Sequence, residues 1–486
     1  MNLTLVGKNA LIYAVGNVGM RATAFLLIPL YTYGLSISGY GLLATLQLTM
    51  YAMMGFMNSG MRISLVRFAK EFKDNSSVSQ LLGTSSFIIV LGGLVVSTIS
   101  LSLLVNFFRS VLHINNVYPY IWLTCVAALT QTLFFHLMAY YRAEEQALKF
   151  MLTGVLSSII LILANCVFLI VFHFGVVGVL FAYIATYAIF LLFLAGDIFP
   201  KTGIGISIQL ISNLFRFGFP FVFSEFGLLV MGGVGIYFLS YYVGLESVAI
   251  FSLGSKLASV LIIIIFSPFQ LAFQPFLFLN LDKEDIKKTT SRLLTYLVLI
   301  ITITFFFVLV GSRILLPIIA PPEYSSAFLV ILLLLPGIAF IGIYYIGETL
   351  LGAVKKTHLI GFLMTFYAIV ATLLNYLLIP WIQWYGAVIA ANISYILAGV
   401  TFLMLGKKYF SFHLEKKRIS VCVIVSALFF GVFFILNNMN LLVFIGVSLL
   451  AALASLWVFL RLRFFSKEEI AAMKTLFPKL NNFKEV

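Results

Sequence analysis

Residues 9–34, NALIYAVGNVGMRATAFLLIPLYTYG, decide the fold. About 20 helical residues cross a hydrocarbon core of about 30 Å, and this run is long and apolar enough to do so. Arg21 stands at its centre. A guanidinium there costs roughly 2.5–3.5 kcal/mol on insertion scales, so such residues face a bundle interior or a wet cavity. Tyr13, Asn17 and Arg21 follow one another at four-residue spacing, which predicts one shared helix face. The span therefore carries a polar stripe, and a cationic interior suits anionic cargo.

Runs of the same kind recur along all 486 residues, of which 62% are hydrophobic and 9% charged. Such a chain is not a soluble globule. The expected fold is an all-α integral membrane protein of about fourteen transmembrane helices. Six spans run approximately 10–34, 42–66, 81–108, 118–140, 150–173 and 175–197. Six more run approximately 214–242, 248–280, 293–317, 326–350, 359–380 and 385–406, and a final pair covers 419–436 and 440–460. The first run is too long for a cleavable signal, and many spans follow it. The formal charge of +14 does not point to nucleic acid, because most of the charges sit in every second loop, the opposite loops holding little beyond Arg109 and Arg313. Arg67, Arg142, Lys149, Lys201, Lys283, Lys288, Lys355, Lys407 and Lys417 all fall in even-numbered loops, which predicts that both termini are cytoplasmic. Tyr118, Tyr120, Trp122, Trp381 and Trp384 sit at the opposite ends, as an interfacial aromatic belt would. Cys125, Cys166 and Cys422 fall inside spans and read as packing residues.

An internal repeat is visible. A shift of 210 residues aligns Tyr31 with Tyr241, Gly34 with Gly244, and Asn165 with Asn375; a shift of 208 aligns Gly178 with Gly386 and Tyr187 with Tyr395. Six spans per half make the repeat parallel, with a cargo site between the halves. The expected division is residues 1–208 as an N-terminal lobe, 209–408 as a C-terminal lobe, and 409–486 as a terminal helix pair with a cytoplasmic tail. Residues 199–213 would link the lobes. In the tail, Ser466 and Glu469 have capping-box spacing, and Ile470, Met473 and Phe477 follow at helical spacing; an amphipathic surface helix and a disordered tail both fit.

No catalytic or metal motif stands out, and no cofactor is expected. What remains are charges at membrane depth: Arg21, then Arg62 four residues after Asn58, then Lys256 in a stripe with Ser252, Ser255 and Ser259. Facing one cavity, the three cations would focus a positive potential suited to a pyrophosphate. Alternatively, each pairs with an acid or a carbonyl for structure alone, or Arg62 snorkels. Glu225 and Glu348 are candidate ion-coupling acids; the other reading makes them counter-ions. His136 and Gln131 could line the cavity; the other reading makes them satisfied interior polar groups. Pro29, Pro220, Pro268, Pro275 and Pro336 can kink their helices, at a gate or merely in packing.

Four stretches carry a family likeness: AVGNVGMRATAFLLIPLYTYGLSISGYGLLATLQ (14–47), its partial repeat FRFGFPFVFSEFGLLVMGGVGIYFLSYYVGLESVAIFSLGSKL (215–257), YYRAEEQALKFMLTGVLSSIILILANCVFLI (140–170) and LLGAVKKTHLIGFLMTFYAIVATLLNYLLIP (350–380). The chain resembles the bacterial lipid-linked oligosaccharide flippases of O-antigen and capsule synthesis. These belong to the multidrug/oligosaccharidyl-lipid/polysaccharide (MOP) exporter superfamily, with the multidrug exporters and the lipid II flippase. The resemblance implies two six-helix lobes around a central cavity plus a terminal pair, working by alternating access in the bacterial inner membrane. It implies an undecaprenyl-diphosphate-linked oligosaccharide as cargo, with a polymerase and a chain-length regulator as pathway partners. On that view Arg21, Arg62 and Lys256 bind substrate, aided by Tyr13, Asn17, Asn58 and Ser252. Span seven of the family often carries a charged pair where this chain has Met231 and Gly232, so that role does not transfer. A drug antiporter of the same fold, favouring cationic cargo, should have an acid-lined cavity; the cations at depth argue against it. A membrane polymerase should have a large outer loop, and a membrane acyltransferase a partnered intramembrane histidine. The lipid II flippase remains a rival that only complementation separates.

Overall fold

A computed structural model describes residues 3–465 except 70, 72–74, 103–104, 113, 282, 437–438 and 462–463. The expected tail helix from Ser466 lies outside the described residues. The described chain is helical and without strands: α1 Leu3–Gly34, α2 Ile37–Asn58, α3 Met61–Phe68, α4 Asn75–Ser102, α5 Val105–Leu112, α6 Tyr118–Ala143, α7 Ala147–Cys166, α8 Gly175–Thr202, α9 Ile208–Tyr242, α10 Leu245–Ala258, α11 Ser267–Leu279, α12 Ile286–Ile319, α13 Ala327–Ala353, α14 Thr357–Phe410, α15 Lys416–Ile435 and α16 Leu441–Arg461. Eleven helices among the described residues are long and apolar enough to cross a membrane, so this is a multi-pass membrane protein. The 54-residue α14 holds two of the expected spans, because non-helical Ile382 and Gln383 break it. With α1 and α2, both of span length, the architecture is the expected fourteen. Two π-helical segments interrupt spans five and eight, at Val167–Val171 and Ile262–Phe266.

Local chemistry sets the joints. Ser36 caps α2, its hydroxyl accepting from Gly39 N at 3.1 Å, which satisfies a first-turn donor. Ser59 (φ 46°) and Gly60 (φ 77°) break the helix between α2 and α3. The repeat is written into the turns. Glu145 and Lys355, 210 residues apart, both have positive φ, 57° and 59°. The next amide in each turn donates back five residues, Gln146 N to Tyr141 O at 2.8 Å and Lys356 N to Leu351 O at 2.9 Å. His173 and Gln383, again 210 apart, take φ 54° and 52°. Gly178 and Gly386 then let the returning helix touch the carbonyls of Phe168 and Leu378, where an added Cβ would sit 2.9 Å from either oxygen. Asn165 and Asn375 are both buried and donate to the carbonyls of Leu161 and Ala371 one turn back.

Two expectations are corrected. The lobe-to-lobe linker is not 199–213 but five residues, 203–207: α8 continues through Pro200, Gly203 closes it at φ 78°, and α9 starts at Ile208. Gly205 N and Ser207 N donate to Ser79 O and Thr84 Oγ1, tying the linker to α4. Trp384 is not part of an aromatic belt, being buried and stacked on Tyr385 at 3.8 Å, whereas Trp122 and Trp381 are exposed.

Spans alternate in direction, so the basic loops share one side, here the basic side, and the other is the far side. Near the far side, Gly41 of α2 meets the backbone of Leu245 so closely that a Cβ would overlap its carbonyl. Tyr40 packs edge-on against Tyr324 at 5.8 Å, and Thr32 Oγ1 donates to Ile319 O at 2.5 Å. Toward the basic side, Gly60 and Gly218 meet backbone to backbone, and Ser64 Oγ donates to Leu214 O at 3.0 Å. Span two thus touches the second half of the chain near both of its ends, with a chamber between.

Candidate functional site

The chamber between α2, α3, α6 and α9 holds a cavity of about 200 Å³. Tyr51, Asn58, Arg62, Thr132, Glu225 and Phe226 supply most of its wall. The Ser59–Gly60 break positions its cation. Asn58 Oδ1 reaches across the break to accept from Arg62 N at 3.2 Å, satisfying a first-turn amide of α3, and the same residue carries its guanidinium into the cavity. Arg62 Nη2 lies 3.4 Å from Glu225 Oε1, with the side chains 40% and 49% exposed. A pair so open and so long contributes about 0–1 kcal/mol. Arg62 is therefore a cation inside the protein whose counter-ion is easily displaced. Glu225 stands across the lobe interface as that counter-ion.

The other predicted residues lie elsewhere. Arg21 Nη1 donates to Ser267 Oγ at 2.6 Å, joining α1 to the start of α11. Lys256 Nζ donates to Gln47 Oε1 at 3.0 Å and lies 5.2 Å over the Tyr40 ring. Ser267 is eleven residues beyond Lys256, about 16 Å along a helix axis. The expected convergence of three cations on one site is not observed: they occupy different depths and face different neighbours. The cause is that each span crosses the whole membrane, so sharing the interior does not mean sharing a level.

The stripe on α1 also splits. Tyr13 packs edge-on against Phe150 of α7, 5.4 Å between centroids, while Asn17 is half-buried and Arg21 exposed. Four-residue steps turn about 40° each, so Tyr13 and Arg21 diverge by about 80°. The serine stripe of α10 does not line the cavity. Ser252 is buried, and the Ser255 and Ser259 hydroxyls donate back to Ser252 O and Lys256 O, the usual way a helix absorbs such groups. Glu348 accepts from Gln270 Nε2 at 3.1 Å within the C-terminal half, away from Arg62's cavity. His136 is buried with Nε2 2.9 Å from Ser85 Oγ.

Sequence reasoning missed Gln47, Ser267 and Gln270, the partners of Lys256, Arg21 and Glu348. The available signal was that amides at membrane depth need partners as charges do. Gln47 also donates to Tyr183 OH at 3.3 Å, so it ties three spans together. Gln47→Leu should strip Lys256 of this acceptor and destabilise the protein by about 1–3 kcal/mol. A lower melting temperature in detergent, restored by Gln47→Glu, is the expected result. Among the described residues no cluster of His, Cys, Asp or Glu is arranged to hold a metal ion.

With this geometry established, the likenesses can be placed. Residues 6–281 match the family model described as "Polysaccharide biosynthesis protein". No curated protein matches the chain. Among solved structures, an inward closed conformation of the lipid II flippase MurJ superposes with a TM-score of 0.68 at 13% identity, covering 94% of this chain and 99% of that one. An outward-facing multidrug resistance MATE family transporter of the MOP superfamily gives 0.59 at 17% identity, covering 83% and 96%. A MOP superfamily transporter from Pyrococcus furiosus, whose binding pocket is described as having reverse polarity, gives 0.52 at 15% identity with the same coverage. At these identities the likeness shows the fold, that of the MOP transporters.

Proposed function

The chain belongs to the polysaccharide biosynthesis protein family, and from that membership we propose that it flips a diphosphate-linked oligosaccharide on a polyprenyl carrier across the bacterial inner membrane. The observation that carries this reading is Arg62, held in an interior, water-accessible cavity by a weak contact with Glu225. A cation in that position recruits an anionic head group, and arginine's planar fork suits phosphate oxygens. The sugars need such a chamber, because unpaired polar groups cost several kcal/mol each in hydrocarbon. Binding from the cytoplasmic leaflet would displace Glu225, leaving it to take up a proton or a sodium ion. The lobes would then part at the far side, and the Arg62–Glu225 pair would re-form after release. Arg21 and Lys256 guard other levels of the path: Arg21 at the α1–α11 contact, Lys256 at the far-side seal. The basic loops, all on one side, support a cytoplasmic location for both termini. An O-antigen, capsule or exopolysaccharide repeat unit on undecaprenyl diphosphate is the proposed cargo, with a polymerase and a chain-length regulator downstream.

Arg21→Ala should abolish surface polysaccharide while membrane levels of the protein stay normal, with Arg21→Lys partly active. Normal polymer in Arg21→Ala removes that residue from the path. Deletion of the gene should deplete surface polymer and accumulate diphosphate-linked repeat units on the inner leaflet. The likeness to MurJ over 94% of the chain favours lipid II as a second reading, and rescue of a strain depleted of its lipid II flippase would select it.

A further inference from the structure

Beside the polar cavity lies a second, larger space of about 690 Å³ between α2, α4, α5 and α9. Its wall is almost wholly hydrocarbon, built on Met53, Phe56, Leu91, Val95, Phe107 and Phe215. A hydrogen bond ties its flanking helices near each end. Near the basic side, Ser207 N bonds Thr84 Oγ1 at 2.9 Å and ties the start of α9 to α4. Near the far side, Ser240 Oγ donates to Val111 O and ties the end of α9 to α5. Between those ties the helices stand apart and leave a trough. Leu91 and Val95 on α4 are half exposed to it. One residue, Phe226, lies in the wall of both spaces. Its ring packs on Phe56 at 5.0 Å, so this pair stands between the trough and the chamber containing Arg62.

We propose that the trough between α2, α4 and α9 holds the hydrocarbon chain of an isoprenoid lipid whose phosphate head is bound at Arg62. The inference rests on reading Arg62 as the head-group site. Two spaces of opposite character share one aromatic partition, and an amphiphile with a charged head and a greasy tail matches that pairing. The trough extends to both sides of Phe226, toward Ile211 and Phe215 on the basic side and toward Tyr237 and Phe107 on the far side, so a tail entering beside Phe226 meets hydrocarbon wall in either direction. A two-chain phospholipid would have to carry both chains past Phe226, whereas a polyprenyl phosphate carries one.

The test uses full-length protein in nanodiscs of phosphatidylethanolamine and phosphatidylglycerol, with the photoreactive amino acid p-benzoylphenylalanine in place of Val95. Undecaprenyl diphosphate or undecaprenol is added at equal mole fraction, and adducts are identified by intact mass. The expected result is at least about fivefold preference for the diphosphate over the alcohol, equivalent to about 1 kcal/mol. Arg62→Gln should abolish the preference. Leu91→Trp should fill the trough and remove the adduct, and Leu94→Trp, exposed on α4 outside the trough, should leave it unchanged. Yields that follow mole fraction whatever the head group, or that survive Leu91→Trp, overturn the proposal and leave bulk lipid in the trough. The head-group comparison needs no tryptophan variant, so misfolding of Leu91→Trp cannot decide the outcome. The two readings also fail separately. Absent preference together with intact surface polymer in Leu91→Trp overturns the trough alone. Unchanged polymer on gene deletion overturns the transport reading.

Discussion

Arg62→Ala should lower affinity for undecaprenyl diphosphate by about tenfold to a hundredfold, while Glu225→Gln should raise it. A hydrogen bond to a charged group is worth about 1.5–3 kcal/mol, and Arg62 supplies the cationic donors of its cavity. Removing it also leaves Glu225 facing the incoming anion, so the alanine loss should lie toward the upper end. The pair with Glu225 contributes at most about 1 kcal/mol at its 3.4 Å separation and its exposure. Neutralising the acid therefore improves head-group binding about twofold to fivefold. Transport should fall in both variants, in Arg62→Ala for want of capture and in Glu225→Gln because release loses its competitor. Titration of purified protein with undecaprenyl diphosphate, alongside surface polysaccharide in cells, separates these arms. Affinities moving in the same direction in the two variants would remove Glu225 from the role of displaced counter-ion.

Gly41→Val should abolish transport with the protein still folded and inserted. The Gly41 backbone rests on Leu245 so closely that even a Cβ would overlap its carbonyl. A backbone carbonyl cannot swing aside like a flexible side chain, so spans two and eight must part at their far-side ends. The seal around Tyr40 and Tyr324 is then forced open. Leu43, fully buried in this state, supplies the reporter. A cysteine at that position should react with a membrane-impermeant maleimide from the far side at least about tenfold faster in Gly41→Val than in the parent. Unchanged labelling together with lost transport would mean that valine damages the fold rather than the gate.

The spans and their halves could be read in the sequence because both arise from gross physical needs. Twenty apolar residues satisfy a bilayer whatever their order, and the offset of 210 survives because a positive-φ turn at Glu145 or Lys355 leaves few geometric choices. Glycines at 178 and 386 were legible for the same reason, each marking a backbone contact. The site was legible only in part. Arg62, Asn58 and Glu225 do converge, as a cation, the acceptor of its backbone amide and its counter-ion. Lys256 and Arg21 do not join them, because periodicity fixes the face of a residue but not the depth at which another helix meets it. The trough was not legible at all: its wall is mostly phenylalanine and aliphatic side chains, the same kinds that face lipid elsewhere in the chain.

The π-helical turn at Ile262–Phe266 carries a consequence for how span eight is indexed. In an unbroken α-helix, eleven residues complete three turns with about 20° left over, so Lys256 and Ser267 would look the same way. The π turn inserts one residue and sets the phase back by about 100°. The upper half of the span accordingly addresses α2 through Lys256 and Gln47, and the lower half addresses α1 through Ser267 and Arg21. Any gapless comparison with a chain lacking that residue keeps one half in register and misassigns the other. Deleting a single isoleucine from the run 262–265 should therefore disconnect Arg21 from Ser267 while leaving composition, length and hydropathy nearly untouched.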